Sequence, residues 1–352
     1  MAAHLAIRGF NVRLYNRSEE RIAPIRAQGG IQLLGPGVRD EEQGFARIDH
    51  VTTDICEAVD GVDLVMVVIP ANGHAFIAEK CAPYLQENQI VVLHPGRTGG
   101  ALEFRHVFQT CGGNPKVIVA EAQTLIYACR CNNPGQVTIY GIKNSVPVAA
   151  IPAHRTPEVV RRLRVAYPQF VPGDNVMKTS LDNIGAVFHP AITVLNAARI
   201  ESTHGEFDYY TEGVTPAVAR VLEAIDNERV AVAEALGFHA MTAREWLYVA
   251  YDAVGPDLYT AMMANSGYAG IRAPLTIYNR YITEDVPMSL VPIASLGQML
   301  GVPTPTICEI IHLASLMHAC NYWKEGRTVE RLGLSGLTLE QIRHLVLEGH
   351  VH

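Results

Sequence analysis

Short apolar runs alternate with longer amphipathic stretches through the first half of the chain. "NVRLYN" (11–16), "DLVMVVIP" (63–70), "QIVVLHP" (89–95) and "KVIVAEA" (116–122) are rich in Val and Ile and apolar on both faces. That is the pattern of strands in a parallel sheet covered by helices on both sides. Between them, "HAFIAEKCAPYLQ" and "GGALEFRHVFQTCG" have the length and period of crossover helices. Repetition of this unit predicts a doubly wound α/β sheet.

From about Val137 the texture changes. "VTIYGIKNSVPVAAIPA" predicts a strand, a turn and a second strand. "TPEVVRRLRVAYP" predicts a helix with Thr156 as its N-cap and Pro157 at its first position. "FVPGDNVMKTS" then returns towards the sheet. Beyond Leu181 the pattern is helical almost throughout, in "DNIGAVFHPAITVLNAARIEST", "TPAVARVLEAIDNERVAVAEALG", "TAREWLYVAYDA" and "PIASLGQMLG". A boundary near Ser180 therefore divides a sheet domain (1–180) from an all-α domain (181–352).

The 352 residues suffice for two cores. A formal charge of −7, with no basic cluster interleaved with aromatics, argues against nucleic-acid or anionic-membrane partners. No apolar run approaches the length of a membrane span. The seven cysteines show no disulfide or zinc-ribbon spacing, which points to a reducing cytoplasm. Cys129-Arg-Cys131 is a weak metal signal and reads as structural.

In open α/β sheets, ligands bind beyond the carboxyl ends of the strands. Three such ends carry turn residues: Asn16-Arg17-Ser18, Pro70-Ala71 in "PANGH", and Pro95-Gly96 in "HPGRTGGALEF". Pro and Gly can merely end strands, but three in series at matching positions predict a cofactor site. Gly96, Gly99 and Gly100 would let backbone approach a ligand. At the first end an enzyme selecting NAD usually presents Asp or Glu to the ribose hydroxyls. Here a neutral Asn16 is followed by Arg17, which suits a 2′-phosphate and favours NADP, with NAD the alternative. The competing reading of Arg17 is a solvated residue at a helix start.

In the helical half, Asn183, His189, Asn196 and Arg199 lie on one helical stretch. His189 and Asn196, seven residues apart, share a face. A histidine among apolar neighbours is usually a hydrogen-bonded core residue. Much later, Arg280, Glu284 and Asp285 precede a Pro-ended turn and a new helix. A carboxylate at the far nitrogen of an imidazole would make it a competent general acid and base.

Four stretches, "HPGRTGGALEF", "EAQTLIYACR", "DNIGAVFHPAITVLNAARIE" and "TEDVPMSLVPIASLGQMLGVPTP", together resemble the octopine/nopaline (opine) dehydrogenase family. The resemblance covers nearly the whole chain. It implies a Rossmann-type domain followed by a helical opine dehydrogenase domain. It also implies reductive condensation of an amino acid's amine with a 2-keto acid, with hydride supplied by a nicotinamide cofactor. His189 falls on the family's catalytic histidine and Asp285 on its aspartate partner. Arg280 matches a position that faces the keto-acid carboxylate, while Gln123 and Thr124 fall where relatives contact substrate. Members that bind a guanidinium-bearing amine carry an acid near there. The nearest acid here is Glu121, which counts against an arginine substrate. Asn183 and Asn196 match as amides lining the site, Asn183 towards the cofactor.

The amino terminus departs from the family pattern. Members begin with a strand and a G-x-G-x-x-G/A loop that binds the pyrophosphate, whereas Met1 here aligns inside the following helix. A start recorded too late is the expectation. Two other readings stay open: a 2-keto acid or 2-hydroxy acid reductase of the same architecture, and a non-catalytic binding protein without its phosphate loop. A homodimer is left open.

Overall fold

The computed structural model describes residues 1–351. A short helix, Ala2–Ile7, leads into strand β1 (Arg13–Tyr15), as the first apolar run predicts. The further strands are β2 (Gly30–Leu34), β3 (Gly44–Arg47), β4 (His50–Thr52), β5 (Leu64–Val67), β6 (Ile90–Leu93), β7 (Ile118–Ala122), β8 (Tyr127–Asn133), β9 (Gln136–Ile142), β10 (Val146–Ile151) and β11 (Phe170–Pro172). They form three sheets, in the orders β1-β4, β11-β10-β7-β6-β5 and β3-β2-β9-β8.

The largest sheet has the expected parallel core, β5-β6-β7, with every residue of β6 and β7 buried. Burial of both faces is why these runs show no polar alternation. Helices His74–Cys81 and Gly100–Thr110 are the crossovers. Beyond β7 the sheet is no longer parallel: β10 runs antiparallel to β7, and β11 parallel to β10.

The strand, turn and second strand expected from Val137 onward are β9 and β10, but the two strands do not pair with each other. β9 pairs with β8 and β2, while β10 joins the main sheet. The burial of each strand explains the separation. β10 is buried at all but one position and needs cover on both faces, whereas β9 is buried only at Ile139 and suits a sheet with an open face. Thr156 also differs from expectation. Arg155 occupies the cap position, and the Thr156 hydroxyl accepts the Ala150 N–H at 3.0 Å, tying the helix start to β10. Pro157 accordingly stands one place later than expected, at the second position of the helix.

The helical half is built around Pro216–Ala235, which packs against Gly185–Leu195, Val291–Leu300 and Pro305–Met317. The single stretch expected over 182–203 is two helices, Gly185–Leu195 and Ala197–Thr203. Asn196 breaks it, its side-chain amide donating to the Ile192 and Gly213 carbonyls, both at 2.9 Å. The backbone groups that a break exposes are thereby paired.

Candidate active site

Two elements of the helical half bring His189 and Asp285 together. His189 sits on the second turn of Gly185–Leu195. Asp285 immediately precedes a single π-helical turn, Val286–Leu290, which contains Pro287. His189 Nδ1 lies 2.8 Å from Asp285 Oδ2. Asp285 is 0 % exposed. Burial pushes its carboxyl up, but the Arg97 guanidinium and the bond to His189 outweigh this and hold it below the usual carboxylate value. An ionised Asp285 can only accept, so Nδ1 carries the proton and Nε2 is left for exchange.

The imidazole is fixed from several sides. Tyr281 stacks on it with centroids 4.3 Å apart, and Tyr209 stacks on Tyr281 at 5.1 Å. The Thr193 and Tyr209 hydroxyls both donate to the His189 carbonyl at 2.8 Å. Gly185 forms the wall beneath the ring. A Cβ there would lie 3.1 Å from Arg97 Nη1, 3.3 Å from Asn183 Oδ1 and 3.3 Å from His189 Cε1. The Asn183 side-chain amide donates to Ser289 Oγ at 3.1 Å, linking the segment before the His189 helix to the π-helical turn.

The loop after β6 packs directly on this pair. Arg97 Nη1 forms an ion pair with Asp285 Oδ1 at 3.0 Å, and Arg97 Nε bonds Glu284 Oε1 at 3.2 Å. Glu284 Oε1 also accepts the Ala71 N–H at 3.1 Å, and Glu284 Oε2 pairs with Arg280 Nε at 3.3 Å. One glutamate therefore gathers the loops after β5 and β6 onto the helical half. Arg280 itself is largely exposed.

Arg327 is buried below these loops. It donates to Glu103 Oε2 (2.5 Å), the Gly96, Thr98 and Ala71 carbonyls, and His74 Nδ1 (2.9 Å). A guanidinium can only donate, so His74 is neutral at Nδ1. Burial, with Arg327 and Arg97 nearby, holds the His74 imidazole well below its ordinary value.

The residues expected at the cofactor fall into two groups. Asn16 Oδ1 accepts the Ser18 N–H at 2.9 Å, shaping the turn after β1. Arg17 projects from that turn over the Phe76 ring, 5.5 Å to its centroid, and has no ion pair among the described residues. Pro70 and Ala71, and Pro95 and Gly96, lie in the loops after β5 and β6 as expected, but Gly96 has a different reason to be glycine. A Cβ there would lie 2.2 Å from Glu121 Oε2, so the missing side chain serves packing within the protein, not approach to a ligand.

Among the substrate candidates, Gln123 donates to the Asp182 carbonyl at 2.9 Å, and Thr124 is half-buried in the turn after β7. Asn196 spends its amide hydrogens on the helix break, two turns from His189, and so serves architecture before it can line a site. Glu121 accepts from the Ala101 N–H and the Thr179 and Ser180 hydroxyls while fully buried, and burial pushes its carboxyl up. It has no free face for a substrate guanidinium.

Arg97, Tyr281 and Arg327 are not singled out by sequence reasoning. Arg97 left a usable signal, a charged residue beside the glycines of a loop at a strand's carboxyl end. Arg327 left none, in the charged run "KEGRTVERLG". Among the described residues no group of His, Cys, Asp and Glu could hold a metal ion, and no helix is long and apolar enough to cross a membrane.

Comparison with known proteins places this geometry in context. The model of the NAD/NADP octopine/nopaline dehydrogenase alpha-helical domain matches residues 172–318. An opine dehydrogenase of Arthrobacter sp. (strain 1C) is 41% identical over 345 residues, covering 98% of this chain and 94% of that protein. The solved structure of octopine dehydrogenase with NADH and agmatine superposes with a TM-score of 0.81 at 22% identity, covering 100% of this chain and 95% of the other. Yersinopine dehydrogenase with NADP+ gives 0.75 at 16% identity, covering 99% and 94%. With a relative this similar along nearly its whole length, and with the same two-part fold, the chain belongs to the octopine/nopaline (opine) dehydrogenase family of NAD(P)-dependent oxidoreductases.

Proposed function

We propose that the chain joins the amine of an amino acid to a 2-keto acid by NAD(P)H-dependent reductive condensation, with His189 as general acid and base and Asp285 as its orienting partner. The observation that carries this reading is the 2.8 Å His189–Asp285 contact, set against the loops that close the carboxyl ends of β5 and β6. Residues 1–180 supply the cofactor side and 181–352 the catalytic side.

When bound, the nicotinamide supplies the hydride that reduces the imine. Asn16, Arg17, Ser18, Pro70, Ala71, Pro95 and Asn183 would hold the cofactor, while Gly96 makes room for the Glu121 carboxylate beneath that loop. The unpaired Arg17 guanidinium fits a 2′-phosphate. His189 Nε2 gives a proton to the keto oxygen as water leaves, and takes one back in the reverse direction. Asp285 keeps the ring in the tautomer that presents Nε2 and stabilises it once protonated. Arg280 faces the keto-acid carboxylate, and Gln123 and Thr124 contact the substrate. The inward, saturated bonding of Glu121 argues against a guanidinium-bearing amine.

Cofactor absorbance, followed with single amino acids paired with pyruvate or 2-oxoglutarate, tests the reaction. Oxidation of the cofactor is expected only when amine and keto acid are both present. Oxidation by the keto acid alone would instead identify a simple 2-keto acid reductase of the same architecture.

For the cofactor, NADPH is expected to be preferred. Arg17→Asp should lower the NADPH-to-NADH ratio of kcat/KM by about 10- to 100-fold, the worth of one or two charge-assisted bonds. An unchanged ratio would show that Arg17 does not touch the phosphate.

A further inference from the structure

Arg97 stands where the two halves of the molecule meet. Its backbone is left-handed (φ 60°), a conformation that costs a non-glycine residue energy and persists only where its surroundings enforce it. Here they do. Arg327 donates to the carbonyls on either side, those of Gly96 and Thr98, and the Thr98 N–H donates to the Met288 carbonyl in the π-helical turn. The side chain is buried, with one edge on Glu284 and the other on the Asp285 oxygen that faces away from His189. Asp285 is thus shared: Oδ2 serves the imidazole and Oδ1 the guanidinium.

We propose that Arg97 is a positioning residue for the His189–Asp285 pair, supplied by the cofactor-side loop, which orients Asp285 and sets the pH range over which the pair exchanges its proton. The proposal rests on the reading of His189 and Asp285 as the acid–base pair.

The charge balance gives its sign. Arg97 and Arg280 oppose Glu284 and Asp285, so the cluster is neutral before His189 takes a proton. The remaining ionisable neighbours are the phenols of Tyr209 and Tyr281, with Arg130 facing Tyr281 from β8. Removing Arg97 leaves a net negative cluster around the pair in a water-poor site, and the pair then holds its proton to higher pH. In the oxidative direction, where His189 must accept a proton, the acid limb of kcat/KM moves alkaline.

The test uses 15N-histidine-labelled protein, with the His189 ring signals assigned by their loss in His189→Gln. Ring shifts against pH, and the oxidative kcat/KM profile, are measured for wild type, Arg97→Gln and Arg97→Lys, with thermal melts as the folding control. Arg97→Gln is expected to move both the His189 titration midpoint and the acid limb alkaline by about one pH unit. Arg97→Lys keeps the charge and should hold the midpoint within about 0.3 units. Its single ammonium cannot serve both carboxylates, so kcat should fall about tenfold with KM nearly constant.

Coincident midpoints for wild type and Arg97→Gln would overturn the proposal. If Arg97→Gln does not fold, Arg97→Lys decides, and a wild-type kcat there overturns it. Turnover retained in His189→Gln would instead remove the acid–base reading itself. Loss of turnover there, together with an unmoved midpoint in Arg97→Gln, would leave that reading intact and remove only the role of Arg97.

Discussion

Replacing His189 with alanine is expected to lower kcat by about 10²–10⁴-fold, the usual worth of a positioned acid–base group. Cofactor affinity, measured by fluorescence titration, should change by less than about twofold, since the ring bonds Asp285 and stacks on Tyr281 without building the loops after β1 and β5. Asp285→Asn should cost a similar factor for a different reason. Arg97 Nη1 lies against Oδ1, so the amide oxygen must turn towards the guanidinium and its NH2 towards His189 Nδ1. That orientation makes Nδ1 the acceptor, moves the ring proton to Nε2 and leaves no base at the cleft. Wild-type turnover in His189→Ala would sink the assignment. A loss in His189→Ala with none in Asp285→Asn would keep His189 and remove the orienting role of its partner.

The parts of this molecule that follow from periodicity were legible in the sequence. Strands β6 and β7 and their crossover helices declare themselves because burial of both faces demands uninterrupted apolar runs, and β5 shares that composition although it lies half-buried at the edge of the sheet. In the sheet of β2, β3, β8 and β9 only β9 was legible as a strand, because the others are partly buried and mix polar with apolar positions. Which sheet each of β9 and β10 joins is a tertiary choice that their local pattern does not carry.

At the site, His189 and Asp285 were marked by resemblance, but their meeting across 96 positions of chain is visible only in three dimensions. Gly96 shows the opposite failing. Its position suggests ligand approach, yet its neighbour is the Glu121 carboxylate, which the sequence places 25 residues later on the next strand. Arg97, in a glycine-rich loop, and Arg327, in a charged run, went unmarked because arginine outside regular structure is ordinarily solvated. Only folding reveals carboxylates and carbonyls converging on them.

Arg327→Leu is expected to cost about 3–5 kcal/mol of stability, the range for removing one partner of a buried ion pair. Both Arg327 and Glu103 are buried, and the carboxylate would lose its 2.5 Å partner with no route to water. The Gly96, Thr98 and Ala71 carbonyls and His74 Nδ1 would lose a donor together. Against a typical total of about 5–15 kcal/mol, this single change takes a large share. Urea unfolding should show a lower midpoint with the slope unchanged. Adding Glu103→Leu removes the stranded charge and should recover part of the loss. Full recovery is not expected, because the Gly96 and Thr98 carbonyls and His74 Nδ1 still lack the Arg327 donor. An Arg327→Leu midpoint equal to wild type would mean that water or a rearranged loop satisfies these groups. In that case the loops bearing Ala71 and Arg97 would not depend on Arg327 for their shape, and Glu284 and the Thr98–Met288 bond would suffice to hold them on the helical half.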